Sequence, residues 1–467
     1  MNISYSLLSL LAVVGLVILG EVFKLKFSKK VYFVLALVGL GTASYFLNQN
    51  DSALGVFSSQ IQYSSLGGFF VSVFIGLMFS VFLVLLFQKH LLPRSVELTL
   101  ILFLMLIGAM VAVFSINALN FFVAFELVSL ALYLLVGFKR DQFVAKEAAL
   151  KYFLMGSVSA AFLLYGIAFL FGATGSFQLS DWQLALTQLK PEQMAFFQLG
   201  ALLFLTGIVF KLGAVPFHFW IPDVYQGAST LVTALMATLV KAFSVFIFIQ
   251  WIVFSGLIEL PVMKIVLPLL ITATFIIGTL LALTQKSLVR LLAYSSIVNA
   301  GFLLLGLYGG KVLLPELLFY LMIYIVMTFA GFLIIYYLES EKDEPITLEA
   351  LGGLFYKHPL LATALSLVLL SLAGMPPLAG FNAKWILITG LFAQKIFYLS
   401  ILGLLTTLIS FYYYLKPVIR MFFERNNTLK IDFQIVPGVI ILVLVAVILF
   451  WGIWPAPLLG LPQVLLN

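Results

Sequence analysis

The sequence contains no cysteine and only three histidines in 467 residues. The lack of cysteine excludes disulfide bonds, zinc sites built from thiolates and iron–sulfur clusters held by cysteine. His218 alone lies in the apolar part of the chain, directly after the seventh predicted span, whereas the other two lie at a span end and in a loop between spans, and this leaves no pair of histidines to hold a haem. No G-x-G-x-x-G motif marks a dinucleotide site. Any electron transfer coupled to this chain must therefore take place on other chains.

Charged residues are also scarce, at 9% of the chain, whereas 63% of the residues are hydrophobic and the mean hydropathy is +1.19. Stretches such as 98–115 and 439–451 are apolar on every face, which leaves no polar face for water. The net charge of +7 resides in short loops and forms no basic patch, so nucleic acid is not an expected partner. The composition predicts an all-α integral membrane protein.

Fourteen stretches are long enough for a membrane-spanning helix, which needs about 20 apolar residues. The first has no basic residue before it and four lysines after it, the reverse of a cleaved signal peptide, so we expect it to be retained. The predicted spans lie near residues 3–22, 31–47, 66–88, 96–115, 117–138, 145–172, 193–212, 228–255, 262–283, 287–308, 312–338, 358–393 (interrupted), 397–423 and 434–455.

The distribution of lysine and arginine supports this count, because basic residues collect in the cytoplasmic loops of membrane proteins. The loops after odd-numbered spans hold 17 of the 25 basic residues, and the other loops and the termini hold four. A miscount of one span in the middle of the chain would scramble this asymmetry. We therefore expect a multi-pass membrane protein with both termini on the outer side.

Five charged residues lie inside the predicted spans: Glu126, Lys151, Lys211, Lys241 and Lys384. A charge at bilayer depth costs at least ~2.5–3.5 kcal/mol, so each of these needs a partner or a wet cavity. Glu126 and Lys241 lie near the middle of their helices, whereas Lys151 is close enough to a helix end to reach the membrane surface. The structural alternative is that each charge is a packing device paired with a neighbour.

A buried lysine and a buried glutamate can together take up and release a proton. Desolvation disfavours the charged ammonium group, whereas a nearby carboxylate favours it. A Lys–Glu contact that opens and closes would therefore bind a proton in one state and release it in the other. This is the chemistry of a proton pump.

Two of the predicted helices contain residues that interrupt the backbone hydrogen-bond ladder. These residues are Gly213, Pro216 and Pro222, in the segment 210–223 into which helix 7 runs, and Gly374, Pro376, Pro377 and Gly380 in helix 12. Irregular backbone at membrane depth is tolerated where it is buried in protein or lines a water-filled cavity. Lys211 and His218 flank the first break, and Lys384 follows the second. His218 is either a proton relay or a cap for the freed backbone.

The two breaks are five helices apart, an odd number that places the second copy upside down relative to the first. This spacing predicts two inverted five-helix repeats, helices 4 to 8 (residues 96–255) and helices 9 to 13 (residues 256–425). Helices 1 to 3 (residues 1–95) precede them and helix 14 (residues 426–467) follows. Inverted repeats put ion sites on discontinuous helices near the midplane. The alternative is that Gly and Pro are simply common in membrane helices.

Four segments of the chain, 151–168, 211–223, 291–297 and 373–381, resemble the antiporter-like subunits of proton-pumping NADH:quinone oxidoreductase (complex I), in the same order. The segment that begins at Lys151 is most similar to the subunit N group. The resemblance covers about residues 100–420. It implies a membrane-arm subunit, in the inner (plasma) membrane with both termini on the periplasmic side, that moves protons and binds no NADH, flavin or quinone itself. No metal site is predicted. The implied partners are other membrane-arm subunits, including neighbouring antiporter-like subunits, together with membrane lipids and protons.

The resemblance also implies a role for each buried charge. Glu126 matches the glutamate of helix 5, Lys211 its partner lysine, Lys241 the central lysine and Lys384 the residue that faces an exit path. Lys151 matches a lysine found in subunit N.

Asn299 departs from the family pattern, because relatives often carry a histidine there and asparagine cannot titrate. Three other functions stay open. The chain could be a subunit of a multi-subunit sodium/proton antiporter, a substrate transporter or a scaffold bundle.

Overall fold

The computed structural model describes residues 2–23, 29–47, 60–87, 94–339, 346–425 and 435–466. Within these ranges the regular structure is helical, which confirms the predicted all-α class. The helices are α1 (Asn2–Val22), α2 (Lys29–Leu47), α3 (Ser65–Leu86), α4 (Ser95–Phe114), α5 (Ala118–Val136), α6 (Phe143–Thr174), α7 (Leu179–Gln188), α8 (Pro191–Leu212), α9 (Trp220–Gly227), α10 (Thr230–Phe248), α11 (Pro261–Leu283), α12 (Leu288–Tyr308), α13 (Leu314–Leu338), α14 (Leu354–Lys357), α15 (Pro359–Ala373), α16 (Ala379–Ala393), α17 (Phe397–Phe423), α18 (Ile435–Ile453) and α19 (Ala456–Leu466).

The described ranges contain 13 helices that are long and apolar enough to cross a membrane. The remaining predicted span, 358–393, is present as two helices of 15 residues each, α15 and α16. A helix of this length is about 22 Å long, which is shorter than the hydrocarbon core of about 30 Å. The two helices therefore make one interrupted span together, as the sequence predicts.

Four further helices, α7, α9, α14 and α19, lie between or after the predicted spans. They contain 10, 8, 4 and 11 residues, so a search for stretches of about 20 apolar residues passes over all of them. α7 is held against its unit by Trp182, which is fully buried and whose indole N–H donates to the carbonyl of Ser176 at 3.0 Å.

Some of the basic residues that predict the orientation lie outside the described ranges. The basic residues in question are Lys24, Lys26, Lys89, Lys342 and Lys430. The sidedness of the chain and its division into two inverted repeats both stay predictions.

Residues 1–204 form one compact unit, which contains α1 to α7 and the first part of α8. Glycine allows α6 and α8 to approach closely. A Cβ atom added to Gly166 would lie 2.5 Å from the backbone nitrogen of Phe204, and one added to Gly200 would lie 2.9 Å from that of Leu170. Small residues serve this purpose where membrane helices pack together. This unit carries Glu126 on α5 and Lys151 on α6.

Residues 205–467 form the second compact unit. Its most shielded helix is α10, in which every residue is buried, and which continues into a buried π-helical turn, Ile249–Val253. Helices α9, α12 and α13 contact α10, whereas α11 and α17 are exposed along one side. Lys241 lies halfway along the span formed by α10 and the π-helical turn, so the structure places this lysine in the best shielded segment of the unit.

Candidate functional site

The first break lies between α8 and α9. α8 ends at Leu212 because Gly213 adopts a left-handed conformation with φ +76°. A Cβ atom at this position would lie 2.0 Å from Cδ1 of Ile221, so only glycine fits. The backbone N–H of Val215 then donates to the hydroxyl of Thr274 at 3.0 Å. The break predicted in helix 7 is confirmed, and its freed backbone groups find side-chain partners.

Lys241 reaches from α10 to the end of the broken helix. Its ammonium group donates to the carbonyl of Leu212 at 2.9 Å and to the carbonyl of Ser296, on α12, at 2.7 Å. The last carbonyls of a helix have no partner within the helix and carry the negative end of its dipole. The break therefore creates the partner of the buried lysine.

At the second break, Lys384 likewise donates to carbonyl groups at the end of a broken helix. α15 ends at Ala373 because Gly374 is left-handed, with φ +89°. The ammonium group of Lys384, on α16, donates to the carbonyl of Leu372 at 2.7 Å and lies 3.4 Å from that of Ala373. Both buried lysines are thus held at the carboxyl end of a broken helix.

The two breaks also share a sequence pattern. In each, a left-handed glycine is followed three residues later by a proline with a cis peptide bond, as Gly213 to Pro216 and as Gly374 to Pro377. This common Gly-x-x-Pro spacing favours the predicted relation between the two halves. The second break is closed by tight packing, since a Cβ atom at Gly380 would lie 1.8 Å from the carbonyl oxygen of Ser371.

A group of polar side chains from α12, α13 and α17 lies between the two lysines in the second unit. We call it the tyrosine cluster, and it consists of Ser295, Ser296, Asn299, Tyr320, Tyr324 and Tyr414. The Asn299 amide donates to the carbonyl of Ser295 at 2.9 Å and accepts from the Tyr320 hydroxyl at 2.7 Å. The hydroxyls of Ser295 and Tyr414 share a further hydrogen bond. The cluster joins three helices without a charged group of its own.

The tyrosine cluster meets a lysine at each end. The Tyr324 hydroxyl lies 3.5 Å from the hydroxyl of Ser296, the residue whose carbonyl accepts from Lys241. At the other end the ring of Phe302 lies 5.8 Å from the ring of Tyr320, and the ammonium group of Lys384 lies 5.1 Å from the same Phe302 ring. The two lysines are therefore connected by a continuous row of buried side chains.

Asn299 can be identified from the sequence, because it departs from the family pattern, but the tyrosines around it cannot. The chain contains 19 tyrosines, and nothing in an apolar stretch marks which of them face the interior. A usable signal was present in the spacing of Tyr320 and Tyr324, which lie one helical turn apart on the same face of α13.

Lys211 lies just before the first break and His218 lies within it, and both are buried. Lys211 is on the last turn of α8, next to the residue whose carbonyl holds Lys241. The Nδ1 atom of His218 has no hydrogen-bond partner among the described residues. Both roles considered for this histidine, proton relay and backbone cap, stay predictions.

Glu126 and Lys151 belong to the first unit. Glu126 is half-buried on α5, where Ser129 lies 3.5 Å from its carboxylate. Lys151 forms an ion pair with Glu147, one turn earlier on α6, at 2.7 Å, and both side chains are nearly half exposed. The pairing of Glu126 with Lys211 stays a prediction.

Buried lysines at the ends of broken helices define a helical membrane protein of the class that moves ions or protons. The sequence model of the family described as NADH:quinone oxidoreductase/Mrp antiporter, TM, matches residues 115–410, and the chain belongs to this family. It is 36% identical to the NADH-quinone oxidoreductase subunit N of Protochlamydia amoebophila, with 99% of this chain and 97% of the relative covered.

Solved structures agree with this assignment. A chain of respiratory complex I from Thermus thermophilus is 30% identical, with 98% of this chain and 99% of that chain covered and a TM-score of 0.83. A chain of the Mrp complex from Dietzia is 19% identical, with 100% and 96% covered and a TM-score of 0.82. At this level of identity, the similarity to the Mrp chain shows a shared fold and nothing more.

Proposed function

We propose that this chain is a proton-translocating subunit in the membrane arm of an NADH:quinone oxidoreductase. The observation that carries the proposal is the buried row from Lys241 through the tyrosine cluster to Lys384, with each lysine held by a broken helix. Relatives named as subunit N of this enzyme support the assignment. The redox chemistry belongs to other subunits, because the chain has no cysteine to hold an iron–sulfur cluster.

The mechanism begins at the first break. Redox chemistry in partner subunits sends a conformational or electrostatic change that acts on Glu126 and on Lys211. Lys211 precedes Leu212, whose carbonyl accepts from Lys241, so a shift at the end of α8 changes the surroundings of both lysines together. A buried ammonium that loses a favourable dipole releases its proton more easily.

The second half of the mechanism carries the proton towards Lys384. The hydroxyl groups of the tyrosine cluster can donate and accept at once, as proton transfer requires, whereas the amide of Asn299 holds them in place and does not titrate. The ring of Phe302 separates the cluster from Lys384 and cannot carry a proton, so the transfer past this ring requires water. Lys384 then receives the proton between the carbonyls of Leu372 and Ala373 and passes it to the outer side.

The proposal includes an assembly and a location. The partners are the other membrane-arm subunits, among them neighbouring antiporter-like subunits, and the surrounding lipids. The location is the inner (plasma) membrane, as expected for a subunit of this enzyme, and the alternation of basic residues between loops supports an orientation with both termini outside.

The test is to extract the complex from native membranes with mild detergent and to separate it on a native gel. The gel is stained for NADH dehydrogenase activity, and the band that holds this chain is identified by mass spectrometry. We expect the chain to co-migrate with stained flavin and iron–sulfur subunits. A smaller, unstained band of membrane subunits alone would overturn the assignment and favour a multi-subunit sodium/proton antiporter.

A further inference from the structure

The fold brings three basic side chains together at one end of α11 and α17, although the sequence shows no basic patch. Lys416 and Arg420 lie on α17, and Lys286 lies in the loop after α11. They line an open groove with a volume of about 430 Å³, together with Glu349 and Glu424. Positive charge therefore exceeds negative charge in the lining, which attracts an anion.

Lys416 fixes the groove between the two helices. Its ammonium group donates to the carbonyl of Leu283, the last residue of α11, at 2.9 Å. The same group lies 4.7 Å from the centre of the Tyr412 ring, one turn earlier on α17. This hydrogen bond uses one of the three N–H donors of an ammonium group. Lys416 is therefore held in place with donors that can bind an anion.

Arg420 lies one turn after Lys416 and is held loosely. Its guanidinium group lies 3.9 Å from the carboxylate of Glu349 and 3.7 Å from that of Glu424, and neither distance is short enough for a hydrogen bond. The Glu349 side chain is 79% exposed, so water weakens this contact further. A guanidinium group matches the geometry of phosphate oxygens and binds them with two parallel hydrogen bonds. Arg420 can therefore exchange its loose contacts for a phosphate.

Lys286 lies at the rim of the groove in an anchored loop. The backbone carbonyl of Lys286 accepts from the N–H of Leu348 at 2.8 Å, and the N–H of Leu288 donates to the carbonyl of Ile346 at 2.9 Å. The Lys286 side chain is exposed. These backbone bonds hold the loop in position, so the third cation stays beside the other two.

An apolar surface adjoins the groove along α11 and α17. The two helices run in the same direction, because the Thr272 hydroxyl lies 3.2 Å from that of Tyr398 near one end and Lys416 meets Leu283 at the other. Large apolar side chains are exposed between these two levels. They are Ile276, Ile277 and Leu280 on α11 and Ile401, Leu404, Leu405, Leu408 and Ile409 on α17. A polar end with cations is thus continuous with an apolar face.

We propose that the groove and this apolar surface bind one anionic phospholipid. Its phosphate diester binds Lys416 and Arg420, with Lys286 at the rim, and its acyl chains lie along α11 and α17. Basic pockets between membrane helices on the cytoplasmic side are suited to anionic headgroups. The predicted orientation puts this end of both helices on the inner side, because the loops after spans 9 and 13 are among those that collect basic residues.

Charge distinguishes a lipid from an apolar helix of a partner subunit as the occupant. Such a helix would cover the apolar surface and leave the cations of the groove without a counterion, whereas a phospholipid matches both parts. The bound lipid also has a structural consequence. Tyr414, which shares a hydrogen bond with Ser295 in the tyrosine cluster, lies two residues before Lys416 on α17. The lipid therefore helps to fix the helix that supplies this tyrosine.

The test uses the purified complex in nanodiscs of phosphatidylcholine. The probe is phosphatidylglycerol with a photoreactive group in one acyl chain, and the comparison probe is phosphatidylcholine with the same group. After illumination, mass spectrometry locates the label in the peptides of this chain. We expect the anionic probe to label residues 276–280 and 401–409 about tenfold more than the neutral probe, since each basic residue near an anionic lipid contributes a factor of about five.

The variant Lys416→Gln with Arg420→Gln should lower labelling by the anionic probe to the level of the neutral one. The matched control is Arg140→Gln with Lys146→Gln, which removes the same two kinds of charge from exposed positions in the first unit. This control should leave labelling of α11 and α17 unchanged. Equal labelling by the two probes would overturn the proposal, and so would an equal loss in the control. Absence of label from both helices with either probe would overturn it in favour of a partner subunit.

A competition measurement tests the unaltered chain, so it does not depend on how well the variants fold. Unlabelled phosphatidylglycerol should suppress labelling of α11 and α17, whereas inorganic phosphate at the same concentration should not. Equal suppression by inorganic phosphate would show that the groove takes a free anion and would overturn the lipid site. Labelling does not require pumping, so failure of the proposed function would appear as normal pumping in Lys241→Met with labelling unaffected.

Discussion

Lys241 donates a hydrogen bond to the carbonyl of Leu212, 29 residues earlier in the chain and at the last turn of a helix that stops there. A charged ammonium is attracted to this end of the helix dipole more strongly than a neutral amine. Gain or loss of a proton at Lys241 therefore changes the attraction between this side chain and the carboxyl end of α8. The relation runs both ways, because movement of α8 also changes the affinity of Lys241 for its proton.

The left-handed glycine of the second break can be tested through stability. Gly374→Ala should lower the thermal stability of the complex, because a left-handed conformation costs an alanine about 1–2 kcal/mol. The added methyl group would also lie 3.2 Å from Thr407 and 3.3 Å from Lys384. The control is Gly172→Ala in α6, where nothing lies within 4 Å of the added atom. Equal melting temperatures for the two variants would contradict this account of the break.

The hydrogen bond between Asn299 and Tyr320 predicts a coupled pair of effects. Asn299→Leu removes the acceptor of the Tyr320 hydroxyl and should cost about 1–3 kcal/mol in stability and reduce proton transfer. Tyr320→Phe breaks the same bond, so adding it to Asn299→Leu should cause little further loss. Thermal unfolding and proton-transfer rates of the two single variants and the double variant measure this. Strictly additive losses would show that the two residues act independently.

Lys384→Met should reduce proton transfer strongly while the complex still assembles. The change deprives the carbonyls of Leu372 and Ala373 of their donor, so a moderate loss of stability is also expected. The control is Lys264→Met at an exposed ion pair with Glu259, which should affect neither quantity much. Proton transfer in vesicles and melting temperature are the measurements. Normal proton transfer in Lys384→Met would remove this lysine from the path.

The ion pair of Lys151 and Glu147 distinguishes a structural role from a proton-carrying one. An exposed pair one turn apart contributes about 0.3–0.5 kcal/mol, so Lys151→Gln should change stability only slightly. The double variant Lys151→Glu with Glu147→Lys exchanges the two charges. If the ion pair has only a structural role, this exchange should restore any stability and proton transfer that Lys151→Glu alone loses. If the exchange restores stability but not proton transfer, then the position of the lysine itself matters, as the resemblance to subunit N implies.

Much of the fold could be predicted because its signals are local. A membrane span needs a long apolar stretch, a break needs Gly and Pro, and a lysine in such a stretch is conspicuous. The contacts of Lys241 could not be predicted, because its partners are the backbone carbonyls of Leu212 and Ser296, which no side-chain pattern marks. The Ser295–Tyr414 hydrogen bond joins residues 119 positions apart, so no local sequence pattern predicts it.

The central claim is that Lys241 carries the pumped proton. The most direct test is Lys241→Met in the assembled complex, with proton uptake and NADH oxidation measured together in sealed inverted vesicles. The account predicts that the complex assembles, that NADH is still oxidised and that the number of protons moved per electron falls sharply. An assembled Lys241→Met complex with the normal proton-to-electron ratio would contradict it.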